Sequence, residues 1–112
     1  MNTPADLSQM KCIPCQIGMP PLPPAEIVKR MGQVSDWSLQ DGKLVRDFKF
    51  KDFKEAINFI NKVAELAENE GHHPDISLYN WNRVKLVLFT HKITGLHEND
   101  FILAAKVNQI TL

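Results

Sequence analysis

From Asp52 to Asn69 apolar residues recur at helical spacing, and this stretch restricts the possible folds more than any other. Phe53, Ala56, Ile57, Ile60, Val63, Ala64 and Ala67 follow one another at steps of three and four, which places them on one stripe of a helix. Asp52-Phe53-Lys54-Glu55 has the acceptor, the spacing and the return carboxylate of a capping box at the helix start. Lys54, Asn58, Asn61, Lys62, Glu65 and Asn69 fall on the opposite side, as a solvated face requires. A helix with one apolar stripe must bury it against a second layer.

The flanking segments identify that layer. Upstream, Pro24 suits the first position of a short helix to Met31, with Ile27, Val28 and Met31 as its apolar side and Gly32 as its stop. Trp37 to Gln40 and Lys43 to Phe50 then read as two strands around Asp41-Gly42, which supplies the positive φ angles of a tight hairpin. Leu44, Arg46, Phe48 and Phe50 share one face of the second strand, and Val45, Asp47, Lys49 and Lys51 the other. Downstream, Ile76 to Trp81 and Arg83 to Thr90 form a second pair turning near Asn80-Trp81-Asn82. Val84-Lys85-Leu86-Val87-Leu88-Phe89 is too apolar for an edge and belongs in the middle of a sheet. A last helix, Glu98 to Gln109, carries a broad apolar surface from Phe101, Leu103, Ala104, Ala105, Val107 and Ile110. The order α-β-β-α-β-β-α predicts an α+β domain: a four-stranded antiparallel sheet with helices packed on one face. The other face needs polar cover or a partner.

At 112 residues the chain has the size of one domain. Six of the seven prolines lie within residues 1–24, so 1–23 reads as a Pro-rich N-terminal arm and 24–112 as the domain. Thirteen basic residues balance thirteen acidic ones, which argues against nucleic acid or an anionic membrane surface as partner. No apolar run reaches the roughly 20 residues of a membrane span. The polar start Met1-Asn2-Thr3-Pro4-Ala5-Asp6 lacks the order of a secretory signal, and the expected location is cytoplasmic. Cys12 and Cys15 form a single Cys-x-x-Cys without the further ligands of a structural zinc site or the strand-to-helix context of a redox pair. They read as a reduced, partly exposed pair in the arm.

Chemistry concentrates where the long helix ends. Glu68-Asn69-Glu70-Gly71-His72-His73-Pro74-Asp75 puts two histidines at an element junction, and Pro74 stops the helix from running through them. His91 lies at the end of the apolar strand and Asp100 in the first turn of the last helix. Histidine titrates nearest working pH, so this grouping points to proton transfer or ligand binding. Neighbouring residues at a turn point in different directions, so His72 and His73 can fill two separate roles. A metal site using Glu68 or Asp100 as an oxygen ligand stays open on spacing alone. Glu68 is either exposed charge or turns in to orient an imidazole, Asp100 has a plain role in capping and the helix dipole, and His97 reads as a satisfied polar residue.

Glu68-x-x-x-His72-His73-Pro74, then His91, Gly95-Leu96 and Asp100 resembles the signature of the pterin-4a-carbinolamine dehydratase family. Trp37, Asp47-Phe48-x-Phe50-Lys51-Asp52-Phe53 and Asp100-Phe101-x-Leu103-Ala104 are similar to the same family, so the likeness spans roughly residues 20–110. The arm with Cys12 and Cys15 is not part of the shared pattern, although it resembles an extension of some bacterial and plant members. Mammalian members carry an aromatic soon after His-His-Pro where this chain has Ile76, and Tyr79 or Trp81 is the candidate substitute.

The resemblance implies loss of water from 4a-hydroxytetrahydropterin to give quinonoid dihydropterin, in recycling the cofactor of aromatic amino acid hydroxylases. It implies no metal and no cofactor, the pterin being the substrate, and a homodimer or homotetramer. Position by position, His72 and His91 become the acid–base groups, His73 with Pro74 binds the pterin, Glu68 and Asp100 orient imidazoles or tune their charge, and Trp37 flanks the ring. Two alternatives accompany this reading. One is an interaction protein, as in animal members that act as dimerisation cofactors of a homeodomain transcription factor through a helical surface, here the last helix. The other is a pterin-binding protein of molybdenum-cofactor metabolism without dehydratase activity.

Overall fold

The structure, a computed structural model, describes residues 5–110. The first four residues of the expected arm and the last two of the expected domain lie outside the described residues. The elements are α1 (Pro24–Met31), β1 (Ser38–Gln40), β2 (Lys43–Lys49), α2 (Phe53–Glu70), β3 (Asp75–Tyr79), β4 (Arg83–Leu88) and α3 (Glu98–Val107). The strands form one antiparallel sheet in the order β1-β2-β4-β3. The fold is α+β, and β4 lies inside the sheet as its run of apolar residues requires.

Register decides which side chains enter the core. Leu44 lies opposite Leu88, Arg46 opposite Leu86 and Phe48 opposite Val84, so one face of β2 and β4 is apolar except for Arg46, whose guanidinium lies over the Phe48 ring. Leu44, Val84, Leu86 and Leu88 are buried there against Ala56, Phe59 and Val63 of α2 and Phe101 to Ala105 of α3. The opposite face is mainly polar: Asp47 pairs with Lys85, and the Tyr79 hydroxyl donates to Asp47 Oδ1 at 2.6 Å.

Three expectations change. The buried side of α2 is rotated towards Ala56, Phe59, Val63 and Ala67, leaving Phe53 and Ala64 exposed. Phe59 drives this, since its ring lies 4.6 Å from Phe48 and 5.0 Å from Phe50 and closes an aromatic cluster over the hairpin. Asp52 caps α2 through the Glu55 N–H at 2.8 Å, but the Glu55 carboxylate returns to the Lys51 N–H at 3.2 Å. On α1 no residue is fully buried, and Val28 points to solvent while Ile27 and Met31 pack on the core.

The third change concerns α3 and the arm. Every residue from Asn99 to Ala105 is buried, together with Val107, so the last helix presents no free apolar surface. The arm covers it. A 3-10 turn at Leu7–Gln9 lies on α3 with Leu7 buried in the core, and Met10, Cys12 and Leu22 pack beside it. Burying a leucine stabilises by about 1.5–3 kcal/mol, enough with polar ties to hold a proline-stiffened segment in place. Those ties include the Leu7 N–H to Gln33 Oε1 at 2.9 Å, Lys106 Nζ to the Ser8 carbonyl at 3.1 Å and the Leu22 N–H to the Leu96 carbonyl at 2.9 Å. The helical surface that the interaction-protein alternative would use is therefore covered by the chain itself. No helix among the described residues is long and apolar enough to cross a membrane.

Candidate active site

Local sequence at the end of α2 sets the direction of the two adjacent histidines. Gly71 adopts φ 68°, the left-handed conformation that ends a helix, and both its N–H and that of His72 donate to the Ala67 carbonyl, at 2.9 and 3.3 Å. The chain turns sharply there, and Pro74 starts it into β3. His72 consequently points inward and His73 outward.

Asp100 receives the inward ring. Its carboxylate is fully buried in the first turn of α3, with Oδ1 2.6 Å from His72 Nε2. Oδ2 accepts from Thr90 Oγ1 at 2.7 Å and from the His97 N–H at 2.9 Å. Capping and orienting are thus done by the same carboxylate. Since an ionised carboxylate only accepts, the His72 proton at this contact sits on Nε2, and Nδ1 is the nitrogen left for a ligand. Outside the core, His73 Nε2 lies 2.6 Å from Glu68 Oε2, and both side chains are largely exposed. Glu68 therefore turns towards an imidazole, that of His73.

His91 arrives from the other side. Thr90 and Gly95 bond backbone to backbone, Thr90 N–H to the Gly95 carbonyl at 3.0 Å, closing a short loop that begins with His91. Gly95 is held against the arm, where an added Cβ would lie 2.5 Å from Pro21 Cβ. The His91 imidazole is exposed and stands edge-on to Phe89, with centroids 5.2 Å apart.

These groups line one cavity of about 490 Å³, within the range of about 300–1,000 Å³ common for small-molecule sites. Its walls are His72, His73, Gly71 and Glu70 from the end of α2, Phe89 to Lys92 from the end of β4, Asn99 from α3, and Cys12 to Cys15 from the arm. Asp100 lies behind His72. Pro74 and Glu68 stand beside the cavity rather than in its wall.

Trp37 does not join them. It is only 2% exposed, part of the core, and its Nε1–H donates to Asn108 Oδ1 at 2.8 Å. Tyr79 and Trp81 are also elsewhere, one on the outer face of the sheet and the other at the exposed β3–β4 turn. The aromatic surface in the cavity is Phe89, which ends an apolar run and so reads in sequence as core. Thr90, Asn99, Glu70 and the arm were equally inconspicuous, because their place in the site depends on long-range packing. Among the described residues no three His, Cys, Asp or Glu side chains converge to hold a metal ion.

His97 plays a different part, because its Nδ1 accepts the Asn99 N–H at 3.0 Å and so caps α3. Burial pushes its pKa below the ordinary value, with Asp100 partly opposing. A free histidine titrates near 6.5, so as pH falls through about that value the unfolded chain takes up a proton more readily than the folded one. Folding stability should therefore decline below about pH 6.5. Thermal melts should show wild type losing more Tm between about pH 7 and pH 5 than His97→Asn, which keeps a capping acceptor without a titrating ring. Equal losses would contradict this assignment.

The family model described as pterin 4 alpha carbinolamine dehydratase matches residues 20–110. This chain belongs to that family. Among its relatives, a protein of Alkaliphilus metalliredigens is 51% identical over 106 residues, covering 93% of this chain and 95% of the relative. One of Methylococcus capsulatus is 50% identical over 93% of this chain and 92% of its own length. Both are named, by inference, pterin-4-alpha-carbinolamine dehydratases. The crystal structure of a transcriptional coactivator/pterin dehydratase from Brucella melitensis superposes with a TM-score of 0.73 at 34% identity, covering 79% of this chain and 95% of that one. A pterin dehydratase-like protein identified as a RuBisCO assembly factor in the alpha-carboxysome aligns with a TM-score of 0.56 at 25% identity, over 65% of this chain and 86% of that one. The chain is thus a dehydratase-family enzyme in which His72, His73 and His91 line one cavity and the buried Asp100 holds His72 from behind.

Proposed function

We propose that this enzyme removes water from a 4a-hydroxytetrahydropterin to give quinonoid dihydropterin, with histidines as acid and base and no metal or cofactor. The observation that carries the reading is the His72–Asp100 contact at the wall of a cavity that also holds His91 and His73. Hydroxide is a poor leaving group from a carbinolamine. A proton must reach the oxygen as the C4a–O bond breaks, while a ring nitrogen gives one up, so the net products are quinonoid dihydropterin and water. His72, anchored through Nε2, acts as the doubly protonated ring and gives its Nδ1 proton to the leaving hydroxyl, and His91, at the rim, takes the proton released by the pterin ring nitrogen. His73, held by Glu68 with Pro74 behind it, binds the pterin, and Phe89 takes the ring-flanking part first expected of Trp37. In this reading the enzyme works in the cytoplasm as a homodimer or homotetramer and recycles the cofactor of an aromatic amino acid hydroxylase.

His73→Ala should raise KM about tenfold while leaving kcat within about twofold, because the interaction is made in the ground state and the transition state alike. Steady-state kinetics with a lowered kcat and unchanged KM would reassign His73. The interaction-protein reading draws on the coactivator and assembly-factor relatives. It is weaker here because the arm already covers α3 and because a binding surface has no need of a buried carboxylate aimed at an imidazole. Absorbance-followed formation of quinonoid dihydropterin, with a chelator present, tests the proposal. Acceleration over the spontaneous reaction is expected; a rate equal to it would leave pterin binding or protein partners as the function.

A further inference from the structure

One wall of the cavity comes from the arm, where Cys12-Ile13-Pro14-Cys15 faces His72, His73 and His91. The domain grips this segment by its backbone. The Cys12 N–H donates to Glu70 Oε1 at 3.0 Å. The Ile13 N–H donates to Asn99 Oδ1 at 3.0 Å, and the Ile13 carbonyl accepts from Asn99 Nδ2 at 2.6 Å. Asn99, 2% exposed and adjacent to Asp100 in α3, also donates to Cys15 Sγ at 3.4 Å and accepts at its backbone carbonyl from Cys12 Sγ at 3.6 Å. Each polar group of this amide is therefore spent on the arm.

The thiols themselves do not account for the grip. Burial, reinforced by Glu70, pushes the Cys12 thiol up to about 12, and burial also raises that of Cys15. Thiolates are the reactive and metal-binding form, so these sulfurs pack rather than react at neutral pH. Ile13 is the exception to packing. Its backbone is bonded on both sides, yet its side chain is 57% exposed beside the cavity. A rigid apolar group left open next to a cavity gains from ligand burial with little further ordering cost.

We infer that Asn99 is a positioning residue that seats Cys12–Cys15 as a substrate-contacting wall, and that Ile13 on this wall covers the bound pterin and sets its affinity. The inference rests on the pterin reading of the site. It adds to that reading a residue outside the shared dehydratase pattern, since the family model begins at residue 20.

The test compares wild type, Ile13→Ala, Ile13→Leu and Asn99→Ala in the dehydratase assay and in fluorescence titration with 7,8-dihydrobiopterin, a pterin that has no 4a-hydroxyl to lose. Ile13→Ala removes no hydrogen bond and no core packing. It should raise KM and the dihydrobiopterin Kd roughly 3- to 20-fold, the loss falling in KM and not in kcat, and Ile13→Leu should restore both to within about twofold. In Asn99→Ala, hydrogen exchange at the Cys12 and Ile13 amides should accelerate, with KM raised at least as far as in Ile13→Ala. An Ile13→Ala enzyme with wild-type KM and Kd, or Asn99→Ala with unchanged exchange at Ile13, overturns the inference while leaving the dehydratase reading intact. A wild type that binds dihydrobiopterin without catalysis removes the dehydratase reading, and the Kd values then decide the inference. A wild type that neither catalyses nor binds overturns both.

Discussion

Asp100→Asn should lower kcat by about 10²–10⁴-fold while costing the fold little. The carboxylate has three contacts: His72 Nε2 on one oxygen, and Thr90 Oγ1 and the His97 N–H on the other. Asparagine keeps one acceptor oxygen. If that oxygen stays with Thr90 and His97, the cap of α3 survives, and the amide then presents N–H groups to His72 Nε2. Two donors cannot face one another at 2.6 Å, so the imidazole must accept at Nε2, which excludes the doubly protonated ring that gives up a proton from Nδ1, or rotate away. Either outcome removes the proton-transfer geometry. Replacing the same aspartate by alanine would add a structural loss of about 1–3 kcal/mol, because buried donors on Thr90 and His97 would go unanswered. Kinetics and thermal melts of the two variants separate the effects: the asparagine enzyme is inactive and stable, the alanine enzyme inactive and weakened. An Asp100→Asn enzyme with near wild-type kcat would show that Asp100 only caps.

His72→Ala should reduce kcat by a similar factor, about 10²–10⁴ for loss of a general acid, with a much smaller change in KM. The side chain is mostly covered and its polar partner among the described residues is Asp100, so truncation also leaves Oδ1 of a buried carboxylate without its donor. Some loss of Tm is therefore expected. The diagnostic result is non-additivity. His72 and Asp100 act through one contact, so the double variant His72→Ala/Asp100→Asn should be hardly slower than either single one. Multiplying effects would mean that the two residues serve separate steps.

Much of this architecture is legible from local pattern. The capped helix at 53–70, the Asp41-Gly42 hairpin and the uninterrupted apolar run of β4 follow from spacing and turn chemistry, which operate over a few residues. The position of the histidines at element ends is equally local, since Gly71 and Pro74 dictate where α2 stops. What spacing could not reveal is which imidazole meets which carboxylate. His72 reaches Asp100 across 28 positions, and His73 reaches Glu68 across only 5, a distinction set by the packing of α3 beneath α2. Trp37 shows the limit from the other direction. Its ring-flanking part came from the family resemblance alone, while its burial in the core, with Nε1–H on Asn108 Oδ1, depends on a contact spanning 71 positions of chain. The arm was the least legible part, because its proline content indicates stiffness and says nothing of where it docks. Leu7, Cys12 and Ile13 find their partners in Gln33, Glu70 and Asn99, up to 86 positions away.

His72, held by Asp100, delivers the proton on which dehydration depends in this mechanism. Single-turnover formation of quinonoid dihydropterin from 4a-hydroxytetrahydropterin, by wild type and folded His72→Ala in the same chelator-treated buffer, tests that role most directly. Fast conversion by wild type, undiminished by chelation, and a rate about 10²–10⁴-fold lower in the variant are expected. A His72→Ala enzyme converting substrate at the wild-type rate would contradict it.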